Sequence, residues 1–213
     1  LFVLLFACVA PHALGISAAA AFLGALASAL LVFFVSAYAG ASRLTIVLAG
    51  MALTAIFTAC MNTVLIFNPD AYVNSSGFLV GSLSGVMVSE LAIPGIMICA
   101  GLILAMGQGT RLNILSLGDE GAHALGLNVN CTRLALLSLA ALLAGAAVCF
   151  SGLIGFVGLI VPHVVRYVAG HDNRRVLVLS PIVGAILVCA CDTIARTLFA
   201  PFEIPVGICM ALV

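Results

Sequence analysis

Residues 151–175 read SGLIGFVGLIVPHVVRYVAGHDNRR. An uncharged, glycine-spaced run long enough to enter lipid ends at Pro162-His163. Three arginines and an aspartate then crowd into Arg166–Arg175. Such a junction belongs where a membrane helix leaves the bilayer on its cytoplasmic side, the side on which short loops collect arginine and lysine. The run also decides how the chain before it folds. Leu134 to Ala169 is 36 residues with Arg166 as its only charge. One helix of that length would measure about 54 Å, against a hydrocarbon core of about 30 Å. Two spans joined by a tight turn near Phe150-Ser151-Gly152 fit the membrane.

The arginines select the same hairpin independently. With it, Arg43, Arg111, Arg133, Arg166, Arg174 and Arg175 share one side, and Arg196 alone lies on the other. A single span would split them four to three. The six-arginine side is therefore cytoplasmic, and Asp70, Glu90, Glu203 and Arg196 lie toward the outside.

Composition agrees. Of 213 residues, 65% are hydrophobic and 7% are charged, with a mean hydropathy of +1.38. A soluble domain carries about a quarter charged residues, so no polar set is present to cover a water-facing surface. The expected class is all-α, a polytopic transmembrane helix bundle forming a single domain over residues 1–213. Its Gly, Ala and Ser content favours close helix–helix packing in lipid, and period-two alternation, the mark of a membrane barrel, is missing. All seven cations are arginine, which makes neither a nucleic-acid face nor a lysine-rich lipid-binding cluster. The eight cysteines are scattered through apolar runs and read as small buried hydrophobes. Leu1 begins without methionine inside an apolar run and Val213 stops inside another, so a piece of a longer protein is expected.

Spans are drawn at Leu1–Ala10, Ile16–Tyr38, Leu44–Phe67, Leu91–Met106, Leu134–Phe150, Leu153–Ala169, Val176–Arg196 and Ile204–Val213. Asn68-Pro69-Asp70 signals a turn, followed by Gly81-x-x-x-Gly85. The longest polar insertion, Asn113–Asn130, reads NILSLGDEGAHALGLNVN. Ser116 is expected to cap a short helix with Asp119 and Glu120 in its first turn, and Gly126 to end it. The residues alone allow an ordinary solvated loop equally well.

Gly152-x-x-Gly155-x-x-Gly158 is no nucleotide loop. No strand precedes it, no Gly-Lys-Ser/Thr follows, and helix packing or a bent, re-entrant segment explains it better. Pro162 would loosen or end its helix. His12, His123, His163 and His171 are not at metal-ligand spacing, so no metal and no cofactor is expected. Asp192 and Arg196, four apart, form either a self-neutralising pair near lipid or an outward-facing contact for a partner. Neither a nucleophile–base arrangement nor paired carboxylates support catalysis.

The wording of the second half resembles the permeases of bacterial ABC importers for iron–siderophores, haem and vitamin B12. Their GFVGL-PH-R, D-HRR, D-AR and E-PVGI phrases occur in order at Gly155–Arg166, Asp172–Arg175, Asp192–Arg196 and Glu203–Ile208. Asn173 stands where histidine is usual. Leu117-Gly118-Asp119-Glu120-Gly121-Ala122 through Leu125-Gly126 is similar to the coupling segment LGEEAA---LG, with Asp119 for glutamate and Gly121 for alanine. Gly77–Leu83 and Ser42–Gly50 resemble two further family segments.

The resemblance implies a ten-helix importer permease fold, of which about eight spans are present here. The first two helices and the end of the last would be missing. It implies that Leu117, Gly118, Asp119, Glu120, Ala122, Leu125 and Gly126, within the cytoplasmic segment 113–130, contact an ATPase. Arg196 would meet acidic residues of a substrate-binding protein. Pro162, His163, Arg166, Asp172, Arg174 and Arg175 would form the motif of the cytoplasmic face. A second permease subunit, two ABC ATPase subunits, a substrate-binding protein and membrane lipid are the partners, and the location is the bacterial inner membrane. The rival class, an ion-coupled secondary transporter, usually needs a charged or broken-helix site at mid-bilayer, whereas these charges sit near span ends.

Overall fold

A computed structural model of the chain describes residues 43–67, 77–83, 86, 88–198 and 204–212, together with 23–24, 27–28, 30–32, 34–35 and 38. The spans expected at Leu1–Ala10 and most of Ile16–Tyr38, the Asn68-Pro69-Asp70 turn and Glu203 lie outside these residues. Every regular element within them is helical. In chain order they are α1 (Arg43–Phe67), α2 (Val88–Gly107), α3 (Gly109–Ser116), α4 (Asp119–Ala124), α5 (Val129–Ser151), α6 (Val157–Ala169), α7 (Asn173–Leu198) and α8 (Val206–Leu212).

Three helices are long and apolar enough to cross a bilayer, namely Val47–Phe67 within α1, α5 and α7. Leu91–Gly107 within α2 is apolar, and α3 continues from it after a bend of 50°. Small residues let the backbones approach. Ala141, Gly145 and Ala146 are buried along α5, which packs on α2. A methyl group added at Gly101 of α2 would come within 2.6 Å of Leu143 on α5. Large side chains such as Leu44, Ile93, Leu159 and Ile186 are exposed, which suits a surface bathed in hydrocarbon rather than water.

The expected hairpin is present. Helix α5 ends at Ser151, and Gly152 turns the chain at φ 67°. Arg133, at the start of α5, and Arg166, near the end of α6, line one cavity. A continuous helix would hold them about 50 Å apart.

The second arm is not helical throughout its length, in contrast to the span drawn from Leu153. Helix α6 has 13 residues, about 20 Å, which falls short of a core of about 30 Å. Residues 152–155 are not helical, although the Gly152 N–H still donates to the Val148 carbonyl of α5 at 3.0 Å. Backbone polar groups at that depth need protein partners, because lipid supplies none. The Leu153 N–H donates to the Phe78 carbonyl at 2.9 Å, and the Gly207 N–H donates to the Gly81 carbonyl at 3.1 Å. Three segments far apart in sequence, 77–83, 152–155 and the start of α8, are thus joined through their backbones.

Apolar packing closes the junction. Cys191, Val206 and Met210 are buried together with Leu83, Ile154 and Leu187 against them. Below them Val161 and Val165 of α6 pack on Val176 of α7.

Gly152 combines a backbone conformation that L-residues avoid with a Cβ position 2.5 Å from the Phe78 carbonyl oxygen. The conformation alone costs a side chain about 1–3 kcal/mol. Gly152→Ala should lower the melting temperature of the detergent-solubilised protein markedly. Gly155→Ala, whose added methyl would meet open space, should leave it nearly unchanged. Equal melting curves for the two variants would contradict the junction.

Candidate functional site

The polar insertion folds into the end of α3, the short helix α4 and the start of α5. Ser116 does not cap α4. It is the last residue of α3, and its hydroxyl donates back to the Asn113 carbonyl at 2.6 Å. The N-cap position belongs to Gly118, at φ 97°, which has no side chain to offer the free amides. Asp119 and Glu120 occupy the first turn, where the helix dipole favours negative charge.

At the other end, Gly126 (φ 78°) donates to the His123 carbonyl at 2.9 Å, and Leu127 donates to the Ala122 carbonyl at 3.0 Å. These paired bonds are a Schellman stop, as expected of Gly126. Asn128 then caps α5, accepting from the Cys131 N–H at 3.2 Å.

Six residues cannot hold a helix by themselves, so α4 depends on its anchors. Ala122 is completely buried. Asp119 Oδ1 lies 2.7 Å from Arg133 Nη2; the arginine side chain is 9% exposed and the aspartate 49%. Leu117 and Leu125, by contrast, are 67% and 61% exposed, and Glu120 is also exposed. The outcome is a short helix fixed from behind, with two leucines and a carboxylate on its free side.

The D-x-RR motif lies behind α3. Asp172 precedes α7 and caps it, with Oδ1 accepting the Arg174 N–H at 3.0 Å. The same oxygen accepts Asn113 Nδ2 at 2.7 Å. Asn113 Oδ1 in turn accepts the Asn173 N–H at 2.9 Å. The Arg174 guanidinium donates to the Thr110 hydroxyl, its Nε at 3.1 Å. The Asn113 hydrogen bond first, and the Arg174 N–H second, hold the Asp172 carboxyl below its ordinary range.

His163, Arg166, Tyr167 and His171 line an open cavity of about 520 Å³ with Ser116 and Asn173. Pro162 sits inside α6 and does not end it. Arg175 is exposed. The described residues contain no group of three His, Cys, Asp or Glu able to hold a metal ion.

Arg196 lies at the far end of α7 from Asp172, about 36 Å away along a 24-residue rise. Its Nε is 2.8 Å from Asp192 Oδ2. The side chain is 46% exposed, and its terminal nitrogens have no hydrogen-bond partner among the described residues. The pairings of Arg133, Asn113 and Thr110 are not among the sequence expectations. Arg133 carried a signal, as an arginine opening a span shortly after two acidic residues. Asn113 and Thr110 carried none.

A carboxyl with a lowered pKa in the folded state stabilises that state above its unfolded pKa, and this contribution is lost as pH falls through the folded value. The Asp172 cap should therefore be complete at neutral pH and weaken only below about pH 4, the ordinary aspartate range. Protection of the Arg174 amide, its exchange rate relative to the intrinsic rate at the same pH, should fall on acidification below that range. Asp172→Ala should lack this protection at every pH. A titration of the wild type near neutrality would refute the assignment.

Comparison with known proteins matches residues 1–213 to the FecCD transport family. The chain is 40% identical over 193 residues to the hemin transport system permease protein HmuU of Yersinia pestis, covering 90% of this chain and 58% of that protein. It is 37% identical over 198 residues to the cobalamin import system permease protein BtuC of Halobacterium salinarum, covering 91% and 52%. To the Fe(3+)-citrate import system permease protein YfmD of Bacillus subtilis it is 33% identical over 193 residues, covering 91% and 58%. The chain thus spans somewhat more than half the length of these relatives. Its fold is similar to a solved structure described as an inward-facing conformation of a metal-chelate type ABC transporter, with TM-score 0.78 and 27% identity over 95% of this chain and 72% of that one. The chain belongs to the FecCD transport family.

Proposed function

We propose that this chain is the membrane-permease part of an ATP-driven importer that brings an iron–siderophore complex, haem or cobalamin into the cytoplasm. The observation that carries this reading is α4. A six-residue helix is pinned from behind by Arg133 and by the buried Ala122, and presents Leu117, Glu120 and Leu125 outward on the arginine-rich side. That arrangement suits a surface pushed by a soluble partner. The family and its haem, cobalamin and ferric-citrate relatives support the substrate class.

In this reading two ABC ATPase subunits bind α4 and its flanks, a second permease subunit completes the path, and a loaded binding protein docks outside. ATP hydrolysis belongs to the ATPase partners. The chain has no lysine, and a Walker-type phosphate loop requires one. When the ATPases close, they displace α4, and the helices tilt between outward-open and inward-open arrangements. Arg196 uses one face on Asp192 and turns its terminal nitrogens toward a carboxylate of the binding protein. Such a rim contact acts mainly on encounter and register.

Two measurements test this function in the full-length permease. Glu120→Lys and Gly126→Val should each abolish most transport. Gly126→Val breaks the stop of α4, and Glu120→Lys reverses its outward charge. Normal uptake with normal ATPase assembly in both variants would remove α4 from the coupling role. Arg196→Glu should weaken binding-protein docking by about tenfold or more, in the range of a lost charge pair, and should respond to salt. Unchanged docking would remove Arg196 from the outer interface.

A further inference from the structure

We propose that the Asp172 clasp, formed by Thr110, Asn113, Asp172 and Arg174, locks α3 to α7 and carries the displacement of α4 to the outer end of the molecule. This rests on the import function proposed above and names the residues that connect its two ends.

Three observations converge. The side-chain bonds of the clasp join residues 59 to 64 apart in sequence: Asn113 to Asp172, Asn173 to Asn113, and Arg174 to Thr110. The two backbones also touch, since a Cβ on Gly109 would lie 3.0 Å from the Arg174 Cα. Finally, α3 meets α4 after only two intervening residues, while α7 continues as one helix from Asn173 to Leu198. Asp192 and Arg196 lie on its last turns.

Force applied to α4 therefore has two exits. One passes through Asp119–Arg133 into α5. The other passes through α3 and the clasp into α7. The second reaches the helix that bears Arg196 directly, whereas the first must pass through α6. Asp172 is central because one carboxylate oxygen both caps α7 and accepts from α3. The α7 terminus cannot keep its cap geometry and leave Asn113 independently. The motif residues Asp172 and Arg174 are thus positioning residues whose partners are inside this chain.

The test uses the full-length permease assembled with its ATPases and binding protein in proteoliposomes, measuring ATP hydrolysis with and without loaded binding protein. Asn113→Ala and Asp172→Ala should each reduce the stimulated-to-basal ratio by about fivefold or more, the usual scale of a lost coupling between sites. Basal hydrolysis and assembly should be retained. The double variant should lose no more than either single one, because both remove one link. Thr110→Ala removes only an exposed hydroxyl and should shift the ratio the same way by less, with the fold intact. A normal ratio in Asn113→Ala and Asp172→Ala would overturn the proposal. So would a fall in basal and stimulated rates together with lost assembly, which marks a purely structural role. A wild-type complex without any binding-protein stimulation would instead refute the import function itself, and the clasp's role with it.

Discussion

Backbone amides inside a bilayer have no water to bond, and this constraint shapes the whole molecule. The chain meets it with helices wherever it can. Where helix α6 starts too deep to reach the outer surface, it meets the constraint with cross-chain bonds. The Leu153 and Gly207 amides each find a carbonyl in the 77–83 segment, so non-helical backbone survives at membrane depth only because three segments share one junction. The ends of α5 and α6 that meet there, and the start of α8, are fixed by that sharing. The opposite, arginine-rich end is organised differently, by charged and amide side chains that water can also reach.

These two chemistries divide the labour. The outer junction consists of backbone bonds and close glycine contacts, which have few alternative arrangements. The network at the arginine-rich end, Asp119–Arg133 and Asp172–Asn113, uses side chains that tie helix ends to one another at single points. A family whose members move solutes across membranes needs helices that tilt without unravelling. Rigid pivots at one end and point links between helix ends at the other would serve that need.

Much of this was legible in the sequence. The six-to-one arginine split required the α5–α6 turn, and Arg133 and Arg166 do line one cavity. Gly126 announced a helix stop and provides one. What could not be seen was pairing across distance. Leu153 reads as helical because apolar residues in lipid favour helix, and nothing nearby reveals that Phe78 supplies its hydrogen bond. Ser116 has the right chemistry for a cap, yet the tertiary contacts of α3 extend that helix through it and leave the cap to Gly118. Arg133 was counted for its side of the membrane but not for its partner, since an ion pair 14 residues apart depends on how α4 folds back.

The shortness of α4 has a consequence for anyone seeking to intervene at this face. Six residues gain too few hydrogen bonds to offset the entropy of nucleating a helix, so the shape presented by Leu117, Glu120 and Leu125 exists only while the rest of the chain imposes it. A linear peptide copied from residues 117–127 would be an unstructured decoy and a poor competitor. An antibody raised against such a peptide would recognise the denatured chain in preference to the folded one. A mimic of this surface would have to bring its own constraint, in place of the one that α3 and α5 supply.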